Sequence, residues 1–365
     1  MLSSTLSREV KSPAGGNRRL TPLQIQAVNP LSGTTPAGDN ENRDASFFQG
    51  AAWARVLTET YGYTPVYFQA VRDNRVEAVL PVMEVESRLT GRRGVSLPFT
   101  DHCEPVGASP AVLKSVFQEA VRHGRARRWK YLECRGGGSL FVGATPSLSF
   151  FSHQLRLLPD LDYLFSRFES SVRRAIRKAE RAGLKVEFAR DLPAVQTYYA
   201  LHCQTRREHG LPPQPFRFFR EIQRHILEAG LGCVVSARQR SRALASAIFF
   251  FQGDEAIYKF GASDPGQREL RANNLVMWEA IRWLAGRGVK NLDFGRTSLA
   301  NAGLRRYKLG WGGEEHTLDY FKYDLRRDEF VLDHDAAFGW HNRLFQHLPV
   351  ALARVAGEIL YRHWA

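Results

Sequence analysis

Cysteine is scarce in this chain, with four residues among 365, and none forms a C-x-x-C pair. Cys103, Cys134, Cys203 and Cys233 lie far apart, which excludes a ribbon-type zinc site and supplies no disulfide framework. Buried free thiols in a reducing compartment are the expectation. No stretch approaches the roughly 20 uninterrupted apolar residues of a membrane span, and the first residues lack the basic-then-apolar pattern of a secretory signal. A cytoplasmic protein is therefore expected. Also missing are the G-x-x-x-x-G-K-[ST] and G-x-G-x-x-G phosphate loops and the G-x-S-x-G hydrolase elbow. The run Gly136-Gly137-Gly138 then reads as a flexible turn. His202, His209 and His316 are too scattered for a ligand set, so no metal is expected.

What is present is the balance of a folded chain, 44% apolar and 24% charged, long enough to favour two domains over one core. Lysine and arginine number 51 against 37 acidic residues, a net charge of +14. Such an excess points to an anionic partner: nucleic acid, anionic lipid or a phosphorylated small molecule.

The pattern divides the chain into a loose leader (1–45), a first domain (46–160), a second domain (161–325) and an amphipathic extension (326–365). Phe47, Phe48, Ala51, Ala52, Val56 and Leu57 mark the first helix, and a hairpin follows across the turn at 72–75. In the second half, Ser170-Ser171 opens a helix whose outer face carries Arg173, Arg174, Arg177, Lys178 and Arg181. A helix is expected over 215–229, a three-stranded antiparallel meander over 231–261, then a helix over 273–285 and a strand over 289–295.

Chemistry concentrates between Ala256 and Thr317. Lys259 interrupts a buried-looking strand, which suits either a solvated edge or an anion contact. Asp293 and Arg296 sit near the carboxyl end of a strand, where open sheets receive ligands. Arg296 has the fork that grips phosphate or carboxylate, or it pairs internally with Asp293. Trp311 stands between Gly310 and Gly312, which suggests close backbone approach to a flat or phosphorylated group. Lys308, one turn earlier, is suited to offset charge on an acyl oxygen.

Three stretches, 273–281 (NNLVMWEAI), 293–297 (DFGRT) and 306–312 (RYKLGWG), resemble motifs of FemAB-like acyltransferases, and 205–213 (TRREHGLPP) matches as well. The resemblance spans about 47–323, and it points to the branch associated with exosortase and exopolysaccharide gene clusters. It implies an α/β fold of two tandem GNAT-like domains, with mixed, largely antiparallel sheets flanked by helices. It also implies transfer of an acyl or aminoacyl group to an amine on a cell-envelope or exopolysaccharide precursor, without a metal.

By the same resemblance Lys308 would stabilise the tetrahedral oxyanion, and Asp293 would accept the amine proton. Tyr258, Lys259, Asn274, Arg296, Trp311 and Arg206 would position substrate. The donor would be aminoacyl-tRNA or an acyl-CoA acting as co-substrate, with no tightly bound cofactor. No heptad-patterned insertion for tRNA is visible. The Q-x-x-G-x-G/A loop expected for coenzyme A is replaced by 267–272 (QRELRA), where Gln267 and Arg271 are the candidate contacts and Leu270 stands in place of a glycine.

Partners under this reading are a phosphorylated or lipid-linked sugar acceptor and tRNA. The segment with Trp340, Leu344, Leu352, Val355, Ile359 and Trp364 would either pack on the body or touch the inner membrane peripherally. Two alternatives remain open here: an acyl-CoA-dependent N-acetyltransferase, and a non-catalytic GNAT-like module that binds an anionic polymer or membrane.

Overall fold

The computed structural model describes residues 21–32, 46–333 and 345–364. The expected helices form where apolar residues recur at helical spacing. Ser170–Arg181 buries Val172, Ile176 and Ala179 and turns its arginines outward. Ala272–Ala285 buries Leu275, Trp278, Ile281 and Leu284 among others. The meander is Gly232–Gln239, Arg242–Gln252 and Glu255–Ser263, all antiparallel.

These strands are covered on both faces, and period-two alternation sorts their side chains. Ile248 and Phe250 face a core with Trp53, Tyr198 and Phe218. Phe249 and Ala247 face a second core with Trp278, Ile281 and Trp311. No described helix is long and apolar enough to cross a membrane, and the four cysteines are free and buried.

The architecture is mixed α/β, as expected, with a 13-stranded sheet that runs through both halves of the chain and a separate 4-stranded sheet. The long strand Glu314–Asp324 makes the large sheet continuous. It pairs antiparallel with Leu148–Arg156 on one side and with Tyr131–Arg135 on the other. Material late in the sequence thus completes the sheet of the first half, across the boundary expected at 160/161.

Two expectations change. Within the stretch read as a loose leader, Gln24–Val28 is a strand, paired antiparallel with Tyr67–Arg72. The remainder of that stretch, 1–20 and 33–45, lies outside the described residues. The helix expected over 215–229 is α-helical only over Phe216–Ile222 and continues as a π-turn, Gln223–Leu227.

Of the two readings of the C-terminal segment, packing on the body is seen. Val350–Leu360 is a helix that buries Ala353 and Gly357, and Tyr361 behind it is buried. Trp340 and Leu344 lie outside the described residues.

Candidate functional site

The strands Glu255–Ser263 and Asn291–Asp293 run parallel in register only from Glu255 to Ile257. Beyond that the second strand ends, which opens the sheet at its carboxyl edge, the usual place for a ligand. A bulge shapes this opening. Tyr258 pairs with Phe249 and Phe260 with Ile248, so Lys259 is the extra residue, and bulges re-aim the side chain they carry. The Lys259 ammonium, 5% exposed, reaches Asp101 Oδ2 at 2.6 Å. It also lies over the rings of Phe48 and Phe260, 5.1 and 5.3 Å from their centres. Burial lowers the pKa of Lys259, and Asp101 opposes that shift.

Asp101 comes from the first half, in a loop held by unusual backbone. Leu97 and Phe99 both have left-handed φ, 55° and 62°, conformations that cost free energy in residues with bulky side chains. The loop is pinned by Thr100 Oγ1 donating to the Leu97 carbonyl at 2.7 Å and by Arg135 donating to the Thr100 carbonyl at 3.2 Å. Tyr320, from the shared strand, donates to the Asp101 carbonyl. Burial alone would raise the carboxyl pKa of Asp101, but Lys259, Arg296 and Lys308 together hold it below the ordinary value.

Gly295 is the junction of the cluster. Its amide donates to Asp293 Oδ1 at 2.7 Å, and its carbonyl accepts from Lys308 Nζ at 2.6 Å. Its Cα faces Asp101: with φ at +72°, an added Cβ would stand 3.3 Å from Asp101 Oδ2. Lys308, 2% exposed, projects from the last turn of helix Ala302–Leu309 and also donates to the Arg296 carbonyl at 3.1 Å. Among the described residues no third acceptor takes its remaining N–H. Burial pushes the Lys308 ammonium down to about 8 against the pull of Asp101 and Asp293. Burial likewise pushes the Asp293 carboxyl up to about 6, with Asp101 adding to the shift and the Gly295 amide opposing it.

Arg296 stays solvent-exposed and donates to Tyr320 Oη at 3.1 Å. Its guanidinium lies 4.6 Å from the centre of the Phe150 ring. It does not pair with Asp293, so that reading of the arginine is not what the structure shows. The cluster is then Asp101, Lys259, Asp293, Arg296 and Lys308, a mixed set of two carboxylates and three cations. It could bind an anionic substrate, polarise a carbonyl and accept a proton.

The other expected residues lie apart. Tyr258 packs on Phe249 and folds its hydroxyl over Gly261, so close that a Cβ there would be 1.7 Å from it. Trp311, expected to meet substrate, is fully buried and packs on Phe168 at 5.2 Å between ring centres. It is corrected to a core residue. Arg206 bonds the Tyr361 hydroxyl at 2.7 Å and the Pro212 carbonyl at 3.2 Å, which makes it an anchor of the C-terminal segment. Asn274 and Arg271 stand at the start of helix Ala272–Ala285, with Arg271 left-handed at φ 56°. Gln267 lies in the kinked turn Pro265–Leu270, and Leu270 packs on the second core.

Sequence reasoning missed Asp101 and Tyr320. The signals were weak: one aspartate in a Gly- and Pro-rich stretch, and one tyrosine in a strand. Elsewhere Glu59, Glu221 and His225 bring ligand-type atoms within 4.8 Å of one another. Arg224 and Arg220 ion-pair with these carboxylates, so the cluster is neutralised internally.

Comparison with known proteins bears on the fold. Residues 166–318 match the acetyltransferase (GNAT) domain family. FemX shares the fold at 16% identity and TM-score 0.65, over 77% of this chain and 93% of FemX. The C-terminal domain of a putative lysylphosphatidylglycerol synthetase from Agrobacterium fabrum aligns at 13% identity and TM-score 0.52, over 87% of this chain and 93% of that one. A tandem GNAT protein from the clavulanic acid biosynthesis pathway aligns at 9% identity and TM-score 0.51, over 83% and 99%. No functionally curated protein matches the sequence. Residues 166–318 thus carry a GNAT acetyltransferase domain, and the chain shares the fold of FemX.

Proposed function

We propose that the chain transfers an acyl or aminoacyl group to an amine on a cell-envelope or exopolysaccharide precursor, with the cluster around Gly295 as its active site. The observation that carries this reading is that Lys308 and Asp293 meet at one residue, Gly295, with Lys308 donating to its carbonyl and Asp293 accepting from its amide. In the reaction the acceptor amine adds to the acyl carbonyl. Its proton passes to Asp293, whose raised pKa suits a base near neutral pH. The free N–H of Lys308 meets the oxyanion that forms, and collapse expels the thiol or tRNA hydroxyl as the amide is made. A donor of this kind typically lowers the barrier by about 2.7–4 kcal/mol.

Arg296, Lys259 and Asp101 would orient a phosphorylated acceptor and set the charge of the cleft, with residues 161–325 supplying most of the site. Gln267 and Arg271, at the start of helix Ala272–Ala285 with Asn274, would meet the donor. Acyl-CoA and aminoacyl-tRNA are the two donor classes. Leu270 in the core-facing position argues against a glycine-type pyrophosphate loop, and the exposed cations Arg174, Arg177, Lys178 and Arg181 have no carboxylate within ion-pair range among the described residues, which suits RNA phosphates. Work on a lipid-linked acceptor would place the chain in the cytoplasm with peripheral contact at the inner membrane.

The test is a fluorescence titration with acetyl-CoA and with charged and uncharged tRNA, followed by turnover with whichever binds. Saturable binding of one donor and its transfer to an amine supports the reading. Binding of neither by the folded protein overturns it.

A further inference from the structure

Helix Val350–Leu360 presents the opposite of the usual surface pattern. Its inward side consists of the small residues Ala353 and Gly357. Gly357 sits so close to the loop before helix Phe216–Ile222 that a Cβ would be 1.9 Å from the Pro213 carbonyl oxygen. The large apolar side chains point away from the body: Leu352 is 56% exposed, Val355 54% and Ile359 57%. These three recur at spacings of three and four and so share one face. A surface helix that packs for stability alone buries such residues and exposes polar ones.

The face extends beyond the helix. Trp364 is 46% exposed and Leu89, at the tip of a hairpin, 71%. That hairpin is tied to the same segment, because Ser87 Oγ lies 2.8 Å from His363 Nδ1 and Arg93 donates to the His363 carbonyl at 2.8 Å. Around it Arg88, Arg354 and Arg362 are exposed. The acidic residues beside them are Glu358 and Glu86, and Glu86 is paired with Arg92. Apolar side chains rimmed by arginines match a bilayer with anionic headgroups, the chains entering the interface and the guanidiniums meeting phosphates. A second copy fits less well, since a two-fold contact through this face would bring the same arginines toward one another.

We propose that the face formed by Leu352, Val355, Ile359, Trp364 and Leu89 docks the protein on an anionic lipid surface. This rests on the membrane-proximal acceptor proposed above, yet it is separable from the chemistry, since vesicle binding needs neither donor nor acceptor.

The experiment is flotation of the full chain with phosphatidylcholine vesicles, with and without phosphatidylglycerol. Val355→Ser/Ile359→Ser and Arg88→Glu/Arg362→Glu are run in parallel, and thermal melts confirm that each variant is folded. The expected result is flotation only with phosphatidylglycerol, reduced about tenfold or more by either double variant and by high salt. Brominated lipid should quench fluorescence in the wild type but less in Trp364→Phe. Absence of flotation, or unchanged flotation of Val355→Ser/Ile359→Ser, overturns the proposal. So does a concentration-dependent dimer that this variant abolishes, which would assign the face to a second copy.

Discussion

Lys259 and Asp101 meet at 2.6 Å although 158 residues separate them. One comes from a bulge in the second half and the other from a strained loop in the first, so the pair ties the two halves together at the site. Removing one partner leaves a charge buried without its counter-ion. Asp101→Leu and Lys259→Met should therefore each lose about 3 kcal/mol of stability, whereas the double variant Asp101→Leu/Lys259→Met should recover much of it. Urea unfolding of the two single variants and the double variant measures the coupling.

The pH dependence follows from two opposite shifts. Asp293, pushed up to about 6, accepts a proton only when ionised, so activity should rise through that pH. Lys308, pushed down to about 8, stabilises an oxyanion only when protonated, so activity should fall through that one. A bell-shaped profile of kcat/KM with its maximum at about pH 7 is expected. Lys308→Arg should remove the alkaline limb, and a pH-rate series on both proteins checks it.

Gly295 has φ +72° and faces Asp101. Gly295→Ala should cost about 1–2 kcal/mol from the left-handed backbone. It should also lower turnover by more than the fraction unfolded accounts for, because the two Gly295 peptide groups that hold Asp293 and Lys308 shift. Denaturation and turnover measured on one preparation separate the two effects.

At Gly357 the obstacle is a backbone carbonyl, which has little freedom to move aside. Gly357→Ala should cost about 1–3 kcal/mol and loosen the C-terminal helix. Amide exchange should quicken across 350–360 while the core strands Gly232–Gln239 and Arg242–Gln252 stay protected.

Much of the fold was legible because its signals are local. The meander is written in period-two alternation and short turns, and helix Ala272–Ala285 in its apolar spacing. Asp293 and Arg296 drew attention because they lie near the end of a strand, Lys259 because it interrupts an apolar one, and Lys308 because it stands beside the glycines around Trp311. What escaped depends on partners distant in sequence. Gln24–Val28 is a short strand of mixed polarity, made a strand only by Tyr67–Arg72 beside it. Asp101 lies in a stretch whose Gly and Pro content reads as a loop, and nothing local shows that Leu97 and Phe99 are forced left-handed to deliver it. Trp311 misled because flanking glycines indicate close packing as readily as ligand contact, and here the close neighbour is the helix Ser170–Arg181, with Val172 packed 3.0 Å from where a Cβ on Gly310 would be.

The central claim is that Lys308 supplies the charge that stabilises the reacting carbonyl. The direct measurement is single-turnover transfer by Lys308→Met, with acetyl-CoA or aminoacyl-tRNA as whichever donor the wild type uses, alongside a thermal melt. The account predicts a folded protein that still binds donor and transfers about 100- to 1,000-fold more slowly. Transfer within a few-fold of wild type would contradict it.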